Sequence, residues 1–242
     1  MAAPKHARWG LALALWLGIA AAAPSGDLRI EPVSLTLAPD AGAASLWLSN
    51  GRQAPLHAQV RIFAWTQQDG GEVLAATRDL AVSPPLLQVP GQGRQLVRVV
   101  RLAPAGPATE TAYRLIVDEL PAAGAGDAGR LRYSIPVFLA PAAAVAGPRL
   151  SARIDADGRG QRHLRVDNSG DRHARIANLS FVGTGGREHL LAPNLAGYVL
   201  PGRYKHWPMP EDAGEPPYGR FQAEVDGTPT VLVPAPDLFG GR

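Results

Sequence analysis

Apolar and polar residues alternate with a period of two along much of this chain. In Ser45-Leu46-Trp47-Leu48 and in Leu56-His57-Ala58-Gln59-Val60-Arg61-Ile62-Phe63-Ala64-Trp65 the two kinds tend to take turns. Such alternation sends one kind of side chain to each face of a β-strand. The same signal predicts strands at residues 95–102, opened by Pro90-Gly91, at 113–120, closed by Pro121, and at 131–139. A turn at Asp69-Gly70-Gly71 and a Gly/Ala-rich loop at residues 122–129 separate these runs. After Pro141-Ala142-Ala143-Ala144-Val145-Ala146-Gly147-Pro148, an uncharged stretch bounded by prolines, the pattern restarts. Strands are expected at residues 150–154, 163–166, 174–182, 198–200, 221–225 and 230–233, with turns at Asp157-Gly158 and Asn168-Ser169-Gly170. No stripe of period 3.6 interrupts them. The predicted architecture is all-β: two immunoglobulin-like sandwiches, near residues 24–141 and 149–242, joined by the proline-bounded linker.

The first twenty-three residues follow a different rule. Lys5 and Arg8 precede an apolar run over residues 11–20, and Ala21-Ala22-Ala23 and Pro24 follow. A charged start, a short apolar stretch and small residues at a cleavage point predict a secretory signal peptide. The run is too short to cross about 30 Å of hydrocarbon. The mature chain is therefore expected to be exported, with no stable insertion in a membrane.

Composition narrows the chemistry. The chain has 242 residues, with 27 glycines and 23 prolines, which favour many short segments joined by turns. It has no cysteine, so disulfides, thiolate metal sites and a cysteine nucleophile are excluded. The net charge of +3 comes largely from the leader: without Lys5 and Arg8, 22 basic residues face 21 acidic ones. The arginines at 149, 153, 159, 162 and 165 have no aromatic residues between them to stack bases, and nothing demands nucleic acid. The five histidines after residue 23 have no partner at metal-ligand spacing. Asp155-Ala156-Asp157-Gly158 starts like a calcium loop but lacks the later glutamate, and reads as a hairpin turn. Asn178-Leu179-Ser180 fits a glycosylation acceptor but falls inside a predicted strand. No catalytic residue, metal site or cofactor is predicted.

The segment that carries a function is Leu131-Arg132-Tyr133-Ser134-Ile135-Pro136-Val137-Phe138-Leu139. Leu131, Tyr133, Ile135, Val137 and Leu139 alternate strictly and share one face, while Arg130, Arg132 and Ser134 take the other. Two readings fit: the last core strand of a sandwich, or a strand offering its edge and apolar side chains to another protein.

With its flanks, this segment resembles a family. The pieces are Pro32-Val33-Ser34-Leu35-Thr36-Leu37, Leu46-Trp47-Leu48-Ser49-Asn50, Ser83-Pro84-Pro85, and Glu110-Thr111-Ala112-Tyr113-Arg114-Leu115 running to Glu119-Leu120-Pro121. Ile135-Pro136-Val137-Phe138-Leu139-Ala140-Pro141 follows, then Leu164-Arg165-Val166-Asp167-Asn168-Ser169-Gly170 and Leu200-Pro201-Gly202. In order and spacing they resemble the two-domain periplasmic chaperones of pilus (fimbrial) subunits, and look closest to the branch serving archaic-type pili. The resemblance implies a partner subunit lacking its final strand, a gap filled by the chaperone's strand, and later exchange at an outer-membrane usher. It implies Leu131, Tyr133, Ile135 and Val137 as donor residues; burying each is worth about 1.5–3 kcal/mol. Family members hold the subunit's terminal carboxylate with an Arg and a Lys, but the aligned positions here read Ser34 and Pro136, and the only lysine after the leader is Lys205. An arginine fork suits a carboxylate, so Arg114 becomes the first candidate anchor, with Arg98 and Arg165 behind it. A rival reading with the same fold is an exported adhesive module of tandem immunoglobulin-like domains; a hydrolase or lectin on a sandwich would need a polar pocket cluster that the sequence does not offer.

Overall fold

The computed structural model describes residues 28–103, 108–121, 131–143, 145–183, 185–210 and 219–232. The expected signal peptide, the loop at 122–129 and the tail from Pro236 to Arg242 lie outside them. Strands and turns make up the described residues, with no helix among them.

The first ten strands are β1 (Leu28–Glu31), β2 (Leu35–Leu37), β3 (Ala43–Asn50), β4 (Leu56–Gln68), β5 (Gly71–Ala76), β6 (Leu80–Ser83), β7 (Leu86–Val89), β8 (Arg94–Arg101), β9 (Thr111–Leu120) and β10 (Arg132–Leu139). They form two facing sheets. One runs β1-β3-β8-β6; the other runs β2-β10-β9-β4-β5, with β7 also pairing to β4. The alternation read from sequence supplies the core between them. Leu46 and Leu48 from β3, Val97 and Val99 from β8, Leu115 and Val117 from β9, and Val60 from β4 are all buried there.

The remaining strands are β11 (Leu150–Ala156), β12 (Arg162–Asn168), β13 (Ala174–Gly183), β14 (Glu188–Val199), β15 (Arg203–Pro208), β16 (Gly219–Val225) and β17 (Thr228–Leu232). A β11-β12-β15 sheet faces a β14-β13-β16-β17 sheet. They enclose a second core around Leu164, Ile176, Leu179 and Phe221. The expected strand at 198–200 is the end of the longer β14, and Pro201-Gly202 turns the chain into β15. Asn178 has a left-handed φ of 48° at a bulge in β13, a conformation asparagine tolerates better than most residues. Asp157 caps a hairpin turn, its carboxylate accepting the backbone N–H groups of Arg159 and Gln161 at 2.8 and 2.9 Å.

Both sandwiches use one local device. A buried asparagine ends a strand and holds the neighbouring turn. Asn50 Nδ2 donates to Ala54 O at 2.8 Å, and its Oδ1 accepts from Arg52 N at 2.9 Å. Asn168 Nδ2 donates to Arg172 O at 2.7 Å and to Val199 O at 3.0 Å, and its Oδ1 accepts from Gly170 N at 3.0 Å.

A third apolar cluster joins the two domains. Trp65, Ala112 and Phe138 from the first pack with Tyr198 and Leu200 from the second. Trp65 meets Tyr198 edge to face, with ring centroids 5.6 Å apart, a favoured aromatic geometry. Buried polar groups fix the orientation. Gln67 Nε2 donates to Tyr198 O at 2.7 Å, and Gln67 Oε1 accepts from Leu200 N at 3.0 Å. Glu110 accepts from the His173 backbone N–H at 2.9 Å, and its Oε1 lies 2.6 Å from His173 Nδ1. The His173 ring stacks on Phe138 at 3.7 Å and 7°. At the β4–β5 turn, a Cβ on Gly70 would fall 2.2 Å from His206 Nδ1, so a larger residue there would have to displace the His206 ring.

Removing a buried partner strands the groups it satisfied, at about 1–3 kcal/mol. Gln67→Leu keeps the volume but orphans two backbone groups of the second domain. We expect it to lower the stability by about that amount, read as a shift of the urea midpoint; an unchanged midpoint would mean that the domains are not held through Gln67.

Candidate subunit-binding edge

Two sheet neighbours flank β10, and one of them stops short. Along its whole length, from Arg132 to Leu139, β10 pairs antiparallel with β9. On the other side the parallel partner β2 covers only Val137–Leu139. No described strand pairs with residues 132–136 on that side. These backbone groups form a ready template for an added strand. Pro136, which cannot donate to a ladder, is tolerated in such an edge.

The strict alternation of this strand sorts its side chains between two environments. Ile135 and Val137 are buried in the first domain's own core, at 4% and 0% exposure. Leu131 and Tyr133 are half-buried and pack against that core from its rim. The Tyr133 hydroxyl donates to Leu28 O at 2.7 Å. Of the four expected donor residues, then, the first two are partly accessible and the last two tie the strand to its own sandwich.

The opposite face of the sheet is built row by row, because directly paired residues share a face. Arg132 lies opposite Asp118, Ser134 opposite Ile116, Pro136 opposite Arg114 and Phe138 opposite Ala112. On the far side of β9, Arg61, Phe63 and Trp65 continue the last three rows. Asp118 sits between Arg132 and Arg61. Burial pushes its carboxyl up, but the two guanidinium groups hold it below the ordinary range.

Arg114 occupies the middle of this face and reaches the domain junction. Its guanidinium carbon lies 3.7 Å from the Trp65 ring centre and 5.6 Å from that of Tyr198. Its side chain is 10% exposed. Nη2 is 3.3 Å from both carboxylate oxygens of Glu72, on β5. Nε is buried with no hydrogen-bond partner. Burial draws the guanidinium below its ordinary value, opposed by Glu72. Ser34 immediately precedes Leu35, the partner of Val137, just as Pro136 precedes Val137, but Ser34 lies before β2 begins and pairs with no strand. Arg114 is Pro136's partner on the next strand. One of the two positions that lack the basic pair, Pro136, thus lies directly opposite the buried arginine.

The other candidate arginines are elsewhere. Arg98 is exposed on the opposite sheet, paired with Ser45 and Ser83. Arg165 belongs to the second domain, where Asp167 lies 2.7 Å away and the Tyr204 ring centre 3.4 Å away. Neither shares a strand row with Arg114. Sequence reading missed Glu72, since Gly71-Glu72-Val73-Leu74 after a turn gives no alternation long enough to mark a strand.

Residues 27–144 match the family model for the pili and flagellar-assembly chaperone, PapD N-terminal domain. No curated protein sequence matches the chain. Among solved structures, similarity extends over both domains. The chaperone–tip adhesion subunit complex of the archaic chaperone-usher Csu pili of Acinetobacter baumannii matches at 22% identity and a TM-score of 0.69. That match covers 86% of this chain and 97% of that one. The CupB2 chaperone of Pseudomonas aeruginosa matches at 16% identity and a TM-score of 0.56, covering 85% and 100%. The Salmonella enterica SafA pilin–SafB chaperone complex matches at 19% and 0.59, covering 88% and 98%. At these identities the likeness is one of fold, two immunoglobulin-like sandwiches, and the matched sequence supplies the family. Over residues 27–144, the first sandwich is that of the pili and flagellar-assembly chaperones.

Proposed function

We propose that this protein is a periplasmic chaperone that captures a pilus subunit by lending it the open edge of β10, and then passes it to an outer-membrane usher. The observation that carries this reading is the half-covered edge: residues 132–136 pair on one side with β9, and among the described residues no strand pairs with them on the other. A subunit lacking its last strand would add its own edge there, forming backbone hydrogen bonds along the open stretch. Leu131 and Tyr133, at the accessible end, would fill apolar gaps in the subunit. Ile135 and Val137, rooted in the chaperone's core, would keep the strand rigid while it is shared, which lowers the ordering cost of binding. Two similar structures are complexes of a chaperone with a tip adhesion subunit and with a pilin, and another is described as a periplasmic chaperone. Residues 1–23 serve in this reading as the export leader.

The subunit's terminal carboxylate is assigned to Arg114. A guanidinium packed on the Trp65 ring, beside the end of the open edge, has a fixed direction and little entropy left to lose on binding. Its charge comes from the strand next to Pro136, where the family's usual lysine is missing.

Two measurements test this. Co-expressed with a pilus subunit and purified by affinity capture, Leu131→Arg and Tyr133→Arg variants should each lose complex by roughly tenfold or more, as expected for a lost apolar contact, with unchanged circular dichroism. Undiminished complex would reject the edge as the binding strand. Arg114→Gln should weaken capture by roughly tenfold, the worth of a charge-assisted hydrogen bond. Capture equal to wild type, in a variant of normal urea midpoint, would remove Arg114 as the anchor.

A further inference from the structure

Arg114 already holds a carboxylate, and it holds it poorly. Charge-assisted hydrogen bonds to a guanidinium are usually 2.7–2.9 Å long, and the strong ones are bidentate, two nitrogens to two oxygens. Here both oxygens of Glu72 stand 3.3 Å from the single atom Nη2. Nε is buried with no partner, and the side chain is 10% exposed. A guanidinium this far from water needs a counter-charge, and this one is incompletely satisfied.

Glu72 is placed to let go. It lies on β5, which pairs with β4 on one side and forms the edge of its sheet. The Glu72 side chain is 37% exposed, so it can return to water at little cost. Ion pairs with one well-exposed partner contribute little to stability. Nothing in this geometry suggests that Glu72 serves to hold the sheet together.

We infer that Glu72 is a built-in competitor: the free chaperone's own carboxylate neutralises Arg114, and an incoming carboxylate terminus displaces it by reaching Nη2 and Nε together. The inference rests on the reading of Arg114 as the anchor. A terminus able to make both bonds wins the site. A side-chain carboxylate or a weakly placed ligand does not, so Glu72 raises the threshold for what the arginine accepts. It also keeps the buried charge paired while no subunit is bound.

The test uses the exported chain and two probes: an N-acetylated peptide of alternating valine and threonine ending in a free carboxylate, and the same peptide ending in an amide. Binding is measured by titration calorimetry on the wild type, Glu72→Gln, Arg114→Gln and the double variant. Glu72→Gln should bind the acid peptide roughly two- to fivefold more tightly, the range expected for removing a partly exposed competing charge, and the amide unchanged. The gain should vanish in the double variant. Acid binding that is unchanged or weaker in Glu72→Gln, while the wild type still prefers acid to amide, would overturn the inference and make Glu72 a residue that orients Arg114. A wild type that takes acid and amide alike, or neither, would overturn the anchor reading itself and the competitor with it.

Discussion

A sheet edge left half open inside a folded domain is the constraint on which the rest of this structure depends. Along five residues of β10, from Arg132 to Pro136, no described strand pairs on the side away from β9. Proteins usually cover such edges, shorten them or load them with charge, because unpaired N–H and C=O groups recruit other chains. Among the described residues, this chain leaves the edge uncovered over that stretch. It ends the parallel partner at Leu35 and seats Ile135 and Val137 in the core. The strand is thereby presented rigidly, without first having to order itself.

The domain junction and the edge share residues. Phe138, three positions beyond Ile135, lies in the interdomain cluster and carries the His173 ring on its face. Trp65, in the same cluster, lies under the Arg114 guanidinium. Gln67, two residues on, ties to the backbone of the second domain and pairs across the ladder with Glu72. The direction of β10, the position of the buried arginine and the angle between the sandwiches are therefore set by one packed unit. A change in any member is felt by the others, since closely packed side chains do not deform independently.

Much of this was legible in the sequence, and the exceptions have physical causes. Period-two alternation marks β4 and the start of β10, where one face is buried; β9 from Ala112 to Val117 and β10 from Ile135 to Leu139 are buried on both faces. It does not mark β2 or β5: β2 buries Leu35 and Leu37 but is too short to show a period, and β5 is exposed nearly throughout, with no buried face to read. The strict alternation in β10 identifies the segment but cannot say which protein's core its apolar face fills; the fold gives Ile135 and Val137 to this one. Arg114, Arg98 and Arg165 look alike as arginines on strands. Strand pairing separates them, burying the first at the junction and leaving the other two on different sheets. Gln67, a polar residue at the end of a long strand, looks like a solvated position until the second domain covers it.

Amide hydrogen exchange, compared between the free protein and its complex with a pilus subunit, tests the central claim most directly. Added pairing at the open edge predicts that the amides of Arg132 and Ser134, which face away from β9, gain strong protection in the complex, while those of the β5 edge do not. Protection gained elsewhere, with Arg132 and Ser134 exchanging as fast as before, would contradict the account.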